Sequence, residues 1–392
     1  NLRLYPEQYS DSSYGGCIDG AVKFAHAPMG AYVIEPYMNS THMFEFVFNT
    51  PYHTEKGYRY WNTYGFHRRD FSAEQWDRVV RDWKYVLDYK PKRPLKTIAF
   101  AADYTDKEDV FDKRIKTLTD TASVLNRSEQ AHGYLYDCCR EAGINAGFAI
   151  KLDALDMLKA NECSALILPT LKYAGADVIN EIRRLHGEGV ALIAVSDISG
   201  LEDLFGVHET KQKVNIDTIC YDGEKENIYP VETELYYSAD MAETVLCSED
   251  GLPIVMKYNN ALLLNAATTD LGYECFEGME GKGRRSISKL LRRCIKSYVR
   301  SLNGQSVLGD NVGVTLFETE FGDTVLMAID YTPFDNRAHS EKMAVVRISM
   351  QGIYGAVSDT PINQVKNEKG ELVELRFPIL PHGFSFIKLL KA

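Results

Sequence analysis

Residues 163–200 read CSALILPTLKYAGADVINEIRRLHGEGVALIAVSDISG, and this stretch decides the fold. Ser164 to Leu168 is a short apolar run ended by Pro169, as suits a strand buried on both faces. Val178, Ile179, Ile182 and Leu185 follow at helical spacing, and Gly187 and Gly189 stop that helix. Val190 to Val195 is a second continuous apolar run. Two buried strands joined by a helix predict a right-handed βαβ unit in a parallel sheet. The same texture runs outward. Thr97 to Ala102 and Asn145 to Ile150 read as strands, Asp153 to Ala160 as a short helix, and a helix capped by Asn126 ends near Gly143. Ala261 to Leu264 is a further apolar run, and Ile287 to Leu302 a basic amphipathic helix.

Residues 1–93 differ. They carry 20 of the 44 aromatic residues and all three tryptophans, in under a quarter of the 392-residue chain. Ala31 to Ile34 and Met43 to Phe48 read as strands, ending in Glu35 and Asn49. Ser72 to Tyr85 has helical periodicity, with Trp76, Val79, Val80 and Trp83 on one face. Lys90 to Pro94 reads as a linker, because prolines end the helix and cannot join a central strand. From residue 306 short alternating runs are separated by Gly, Pro, Asn and Asp, which predicts a small antiparallel β-sandwich. The expected domains are 1–93, 94–305 and 306–392.

A net charge of −11 argues against a nucleic-acid partner, and the basic residues 282–293 read as a solvated helix face. No window has the run of about 18 apolar residues that a membrane helix needs, so no membrane partner is expected. Eight scattered cysteines without a CxxC fit free thiols in a reducing compartment, the cytoplasm, rather than a disulfide frame or zinc site. The chain opens on Asn1 without an initiator Met or signal peptide, so it is expected to begin inside a longer protein or to be a trimmed one.

The α/β region lacks a catalytic signature. Its second strand ends Val195-Ser196-Asp197, without the flanking glycines or the cysteine of an amidotransferase elbow, and no GxSxG, GxGxxG or P-loop occurs. Cys163 precedes a strand and reads as a core thiol. No cofactor and no metal is expected, and His42, His53 and His67 have no ligand spacing. The aromatic region is the better candidate site. Aromatic faces stack on sugar rings while carboxylates and amides take hydroxyls. Glu35 is the candidate nucleophile, with Asn49, Arg59, Trp61 and His67 as candidate substrate-binding residues. The plainer alternatives are a loop carboxylate paired with Arg59 or Arg68, ordinary loop packing, and a hydrogen-bonded structural histidine. Glu45 alternates with Phe44 and Phe46 and reads as a solvent-facing strand residue.

Three stretches taken together resemble the carboxyl-terminal half of β-galactosidases of glycoside hydrolase family 42. They are ALILPTLKYAGADVINEIRRLHGEGVALIAVSDISGLEDLFGV (165–207), NNALLLNAATTD (259–270) and LPHGFSFIKL (380–389). The resemblance implies the end of a (β/α)₈ barrel, then a flavodoxin-like, class I amidotransferase-like trimerisation domain without its nucleophile, then a β-sandwich. It implies a retaining two-carboxylate mechanism on a β-galactoside or related carbohydrate, with Glu35 matching the nucleophile of barrel strand seven. It also implies a homo-oligomer, a trimer. The acid/base glutamate of strand four has no counterpart, because a barrel needs roughly 250 residues. Against that match, only about eight residues separate Glu35 from the next strand, Met43 to Phe48, too few for a barrel crossover. Two other readings remain: a non-catalytic carbohydrate-binding or oligomerisation protein, and an unrelated enzyme using the crevice near Ser196 and Asp197.

Overall fold

The computed structural model describes residues 2–3, 31–34, 60–63, 91–102, 135, 138–139, 141–144, 146–168, 171, 174–266, 288–302, 306–310, 312–330, 341–379 and 384–391. Three short strands come first: β1 (Leu2–Arg3), β2 (Ala31–Ile34) and β3 (Tyr60–Thr63). They form a parallel sheet in the order β1-β2-β3, with Tyr32 registered against both Leu2 and Trp61. Met43 to Phe48 lies outside the described residues, as does the helix read over 72–85. The strand that pairs beside β2 is β3, and residues 35–59 lie between them. That is ample for a parallel crossover, which needs a dozen residues or more, so the objection from a short connection is removed.

The chain then gives β4 (Pro91–Pro94), β5 (Thr97–Ala102), β6 (Ala146–Lys151), a 3₁₀ turn over Leu152–Met157, and β7 (Cys163–Leu168). Helix α1 (Ala176–Gly187) leads to β8 (Ala191–Val195), and the short α2 (Glu202–Phe205) follows. Strands β9 (Val207–Tyr221), β10 (Glu224–Ala239), β11 (Glu243–Ser248), β12 (Pro253–Tyr258) and β13 (Ala261–Leu264) precede helix α3 (Lys289–Ser301). Nine of these strands make one sheet, in the order β10-β9-β11-β12-β13-β8-β7-β5-β6. Every residue of β7 and β8 is buried, as their unbroken apolar runs predict. Ile182 and Leu185 of α1 are buried as well, and Gly189 follows at φ +97°.

The sheet is mixed rather than parallel. β7, β8 and β13 run parallel, but β9 to β12 are joined antiparallel to each other and to β13. The sequence pattern missed β9 and β10 because His208 to Lys213 are all polar and exposed, with no alternation to read. Their turn is nevertheless legible: Asp222 and Gly223 adopt φ +51° and +76°, which an Asp-Gly pair tolerates in a two-residue hairpin.

The remaining strands are β14 (Val307–Asp310), β15 (Gly313–Thr319), β16 (Thr324–Ile329), β17 (Lys342–Ile348), β18 (Ile353–Val357), β19 (Asn363–Lys366), β20 (Leu372–Ile379) and β21 (Phe384–Lys391). They form two antiparallel sheets, β14-β17-β20-β19 and β18-β21-β16-β15-β4. Leu316, Leu326, Val346, Leu375, Phe377 and Ile387 share the core between the two. Three strands were not expected here, because β14, β18 and β19 are only four or five residues long. The proline segment is also a strand rather than a linker. β4 pairs with β15 at the sheet's edge, where a missing N–H is tolerated. The chain divides into two compact units, 1–98 with 139–148 and 303–392, and 99–138 with 149–302.

Candidate functional site

Two places bring chemistry-bearing residues to strand ends. The first is the parallel set β1-β2-β3. Of the sequence-predicted residues, Trp61 lies in β3, opposite Tyr32 of β2. Glu35, Asn49, Arg59 and His67 lie outside the described residues. Chain connectivity is fixed all the same: Glu35 is the next residue after the carboxyl end of β2, and Arg59 the one before the amino end of β3.

The second is the carboxyl edge of β8 and β13 in the nine-stranded sheet. Ser196 leaves β8 with φ +62°, a conformation that few non-glycine residues adopt. Its N–H donates to the Leu264 carbonyl at 2.8 Å, carrying the β8–β13 ladder one step into the turn. Asp197 is 4% exposed. Its Oδ1 accepts from the Ser199 N–H at 2.9 Å and from the Ser199 hydroxyl, an Asx turn closed on itself. Tyr237 of β10 accepts from the Ile198 N–H at 2.9 Å, and its hydroxyl lies 3.5 Å from Asp197 Oδ1, long for a hydrogen bond. Burial pushes the Tyr237 phenol well above its ordinary range, more than the Ile198 bond draws it down, and Asp197 adds to the rise. The phenol is therefore neutral and is no base at neutral pH.

Asn265, just past β13, is fully buried. Its Oδ1 accepts from the N–H groups of Tyr236 at 3.1 Å and Tyr237 at 2.9 Å. Its Nδ2 donates to the carbonyls of Tyr237 and Pro253, both at 2.8 Å. All four hydrogen-bonding positions of the amide are used. Asn265 thereby ties β10 to the start of β12, a function that neither Tyr237 nor Asn265 shows in sequence. The nearest signal is a polar residue that directly ends the apolar run of β13.

What this edge can do chemically is limited. A serine nucleophile needs an adjacent base. Among the described residues, His186 is bonded through Nδ1 to the Val190 carbonyl at 3.1 Å, at the amino end of β8. His208 is bonded to Asp240 at 2.7 Å. Neither partners Ser196. Cys163 opens β7 at the opposite edge of the sheet, and burial, then Glu162, push its thiol up to about 12. Such a thiol is a core residue, not a nucleophile. The edge is built to hold strands, with Asp197 committed to its own turn and Asn265 to β10 and β12.

No protein-family model and no curated protein matches the sequence. Solved structures do match. Gan42B, a GH42 beta-galactosidase, is 12% identical with a TM-score of 0.51, over 91% of this chain and 51% of that one. The alpha-L-fucosidase isoenzyme 2 from Paenibacillus thiaminolyticus is 9% identical with a TM-score of 0.53, over 91% of this chain and 58% of that one. The likeness is one of fold. The first of these structures is of the family that the sequence resembles. The chain spans little more than half the length of either structure. Among the described residues no helix is long and apolar enough to cross a membrane.

Proposed function

We propose that the chain is the carboxyl-terminal portion of a retaining glycoside hydrolase, acting on a β-galactoside or related carbohydrate in the cytoplasm. One observation carries this reading. β1, β2 and β3 are parallel neighbours in simple sequential order, and each starts 29 residues after the last, at Leu2, Ala31 and Tyr60. Sequential parallel order with long connections is the winding of a (β/α)₈ barrel, whereas a doubly wound sheet reverses its order. In that reading residues 1–93 end the barrel, 94–305 are an amidotransferase-like domain without its nucleophile, and 306–392 are the sandwich, to which β4 is added.

Barrel enzymes place their chemistry at the carboxyl ends of the strands. Glu35, next after the carboxyl end of β2, is then the nucleophile. Trp61 in β3 and Asn49 and His67 beyond strand ends bind the sugar. Arg59, before the amino end of β3, is the weakest of the set. The acid/base carboxylate comes from a strand earlier in the barrel. The two structural neighbours are named for different sugars, a galactoside and a fucoside, so the sugar is the part of the proposal that the fold supports least.

The test uses the longest reading frame that contains this chain. A 2-fluoro-glycoside with a good leaving group traps the glycosyl-enzyme of a retaining enzyme. Covalent label on the peptide containing Glu35 is expected, together with a loss of kcat of about 10⁴-fold in Glu35→Gln. Label on another carboxylate, or an active Glu35→Gln variant, would remove Glu35 from the mechanism. Absence of hydrolysis and of heat on titration with galactosides, fucosides and xylosides would favour the reading as an oligomerisation protein.

A further inference from the structure

Cys220 of β9 and Cys247 of β11 stand directly opposite one another across an antiparallel ladder. Opposed residues share a face of the sheet, with Cα atoms about 4.5 or 5.5 Å apart according to whether the pair is hydrogen-bonded. Both separations fall inside the roughly 4.4–6.8 Å that a disulfide spans. Burial and then Cys220 push the Cys247 thiol above its ordinary value. Both are free and half-buried, whereas Cys138, Cys139, Cys163 and Cys294 are buried.

The pair lies on the face of the hairpin turned away from α3. Tyr221 and Ile219 alternate with Cys220, and their registered partners on β10 are Glu224 and Glu226. Those two glutamates bond to Arg293 and to the start of α3, and Arg293 lies 5.2 Å from the centre of the Tyr221 ring. The helix therefore covers the other side. Lys225, registered opposite Cys220, is tied to the exposed Glu249. The seam is also short. β9 meets β11 through two registered pairs, Cys220 with Cys247 and Ile219 with Ser248. Between that seam and the base of the hairpin, where Asn265 holds Tyr236 and Tyr237, Gln212 to Asn215 and Glu232 to Leu235 are registered only with each other.

We propose that Cys220 and Cys247 form a redox modification site, a dithiol that small-molecule disulfides convert to a cross-strand disulfide. One thiolate attacks a disulfide RSSR, such as oxidised glutathione, and releases RS⁻, leaving a mixed disulfide. The second thiolate attacks the protein sulfur and displaces the second RS⁻. The two protons given up by the cysteines end on the two released thiols. The protein loses two electrons and the small disulfide gains them. The new bond closes the loop 220–247 and clamps the β9–β10 hairpin to the sheet at its seam, so the stretch between the seam and the Asn265 anchor is freer when reduced and held when oxidised.

The experiment uses the full chain carrying Cys17→Ser and Cys275→Ser, two cysteines outside the described residues, across graded ratios of oxidised to reduced glutathione. Peptides mapped without reductant are expected to show a Cys220–Cys247 link, two hydrogens lighter, in most molecules at the oxidising end. Excess reduced glutathione is expected to reverse it. Amide exchange over 207–239 is expected to slow by about threefold or more in the linked form. Cys220→Ser and Cys247→Ser are each expected to abolish the link. Absence of the linked peptide overturns the proposal, whether the thiols stay reduced or stop at glutathione adducts. A link that leaves exchange over 207–239 unchanged overturns the clamp.

Discussion

At the scale of single residues, the tightest constraint is at Gly143, where the helix before β6 ends. Gly143 has φ +72°, and the Ile144 N–H reaches back to the Cys139 carbonyl at 3.1 Å to close the helix end. The Gly309 N–H donates to the Gly143 carbonyl at 2.7 Å, and a Cβ added at Gly143 would sit 1.7 Å from the Gly309 carbonyl oxygen. Two backbones press together with no side chain free to yield. Gly143→Ala is therefore expected to cost about 3–5 kcal/mol, the sum of left-handed strain and a forced backbone shift. Chemical denaturation of the variant against the parent checks this. Half of this constraint was legible in the sequence: a glycine after a helical pattern predicts the left-handed cap. The Gly309 contact joins residues 166 apart in sequence, and no local pattern carries it.

Among elements, α3 shows how a strand can finish a helix. Ser288 caps it by accepting from the Leu291 N–H at 3.1 Å. Glu226, carried in from β10, accepts from Ser288 Oγ at 2.8 Å, Leu290 N at 3.0 Å and Lys289 N at 3.1 Å. Burial alone would raise the Glu226 pKa, but these bonds together hold the carboxyl below its usual 4.5. A folded value below the unfolded one means that the contribution to stability is present above about pH 4.5 and is lost as pH falls through the folded value. Glu226→Gln is expected to lower stability by about 1 kcal/mol at neutral pH and by less in acid. Thermal melts at pH 7 and pH 3.5 measure the difference. The helix itself was legible from its periodicity, and so were β7, β8 and the longer sandwich strands, because burial on one or both faces leaves a pattern. The cap was not, since β9 and β10 are polar ribbons whose only local signal is Asp222-Gly223. The candidate sugar site rests on composition, aromatics beside carboxylates, with Glu35, Asn49, Arg59 and His67 outside the described residues, and strand β3 was hidden because YWNT has neither a run nor an alternation.

For the whole molecule, we propose the assembly that the sequence resemblance implies, a homotrimer joined through the nine-stranded unit. Sedimentation equilibrium is expected to give three times the 44.3 kDa of this chain. A monomer at micromolar concentration would separate the fold from its proposed use in assembly. The sandwich has a different consequence for how this chain can be divided. β4 precedes the nine-stranded unit in sequence yet completes the sheet of β15, with Phe317 opposite Pro94 and the Leu95 N–H bonded to the Leu316 carbonyl at 2.8 Å. A truncation beginning near residue 306 would uncover a ladder of backbone donors and acceptors along β15, and an open ladder recruits strands from other molecules. With β4 in place that margin ends in two prolines, which offer an incoming strand no N–H. A four-residue strand far from the sandwich in sequence thus supplies its protection against aggregation, so residues 91–94 and the sandwich have to be made and kept together.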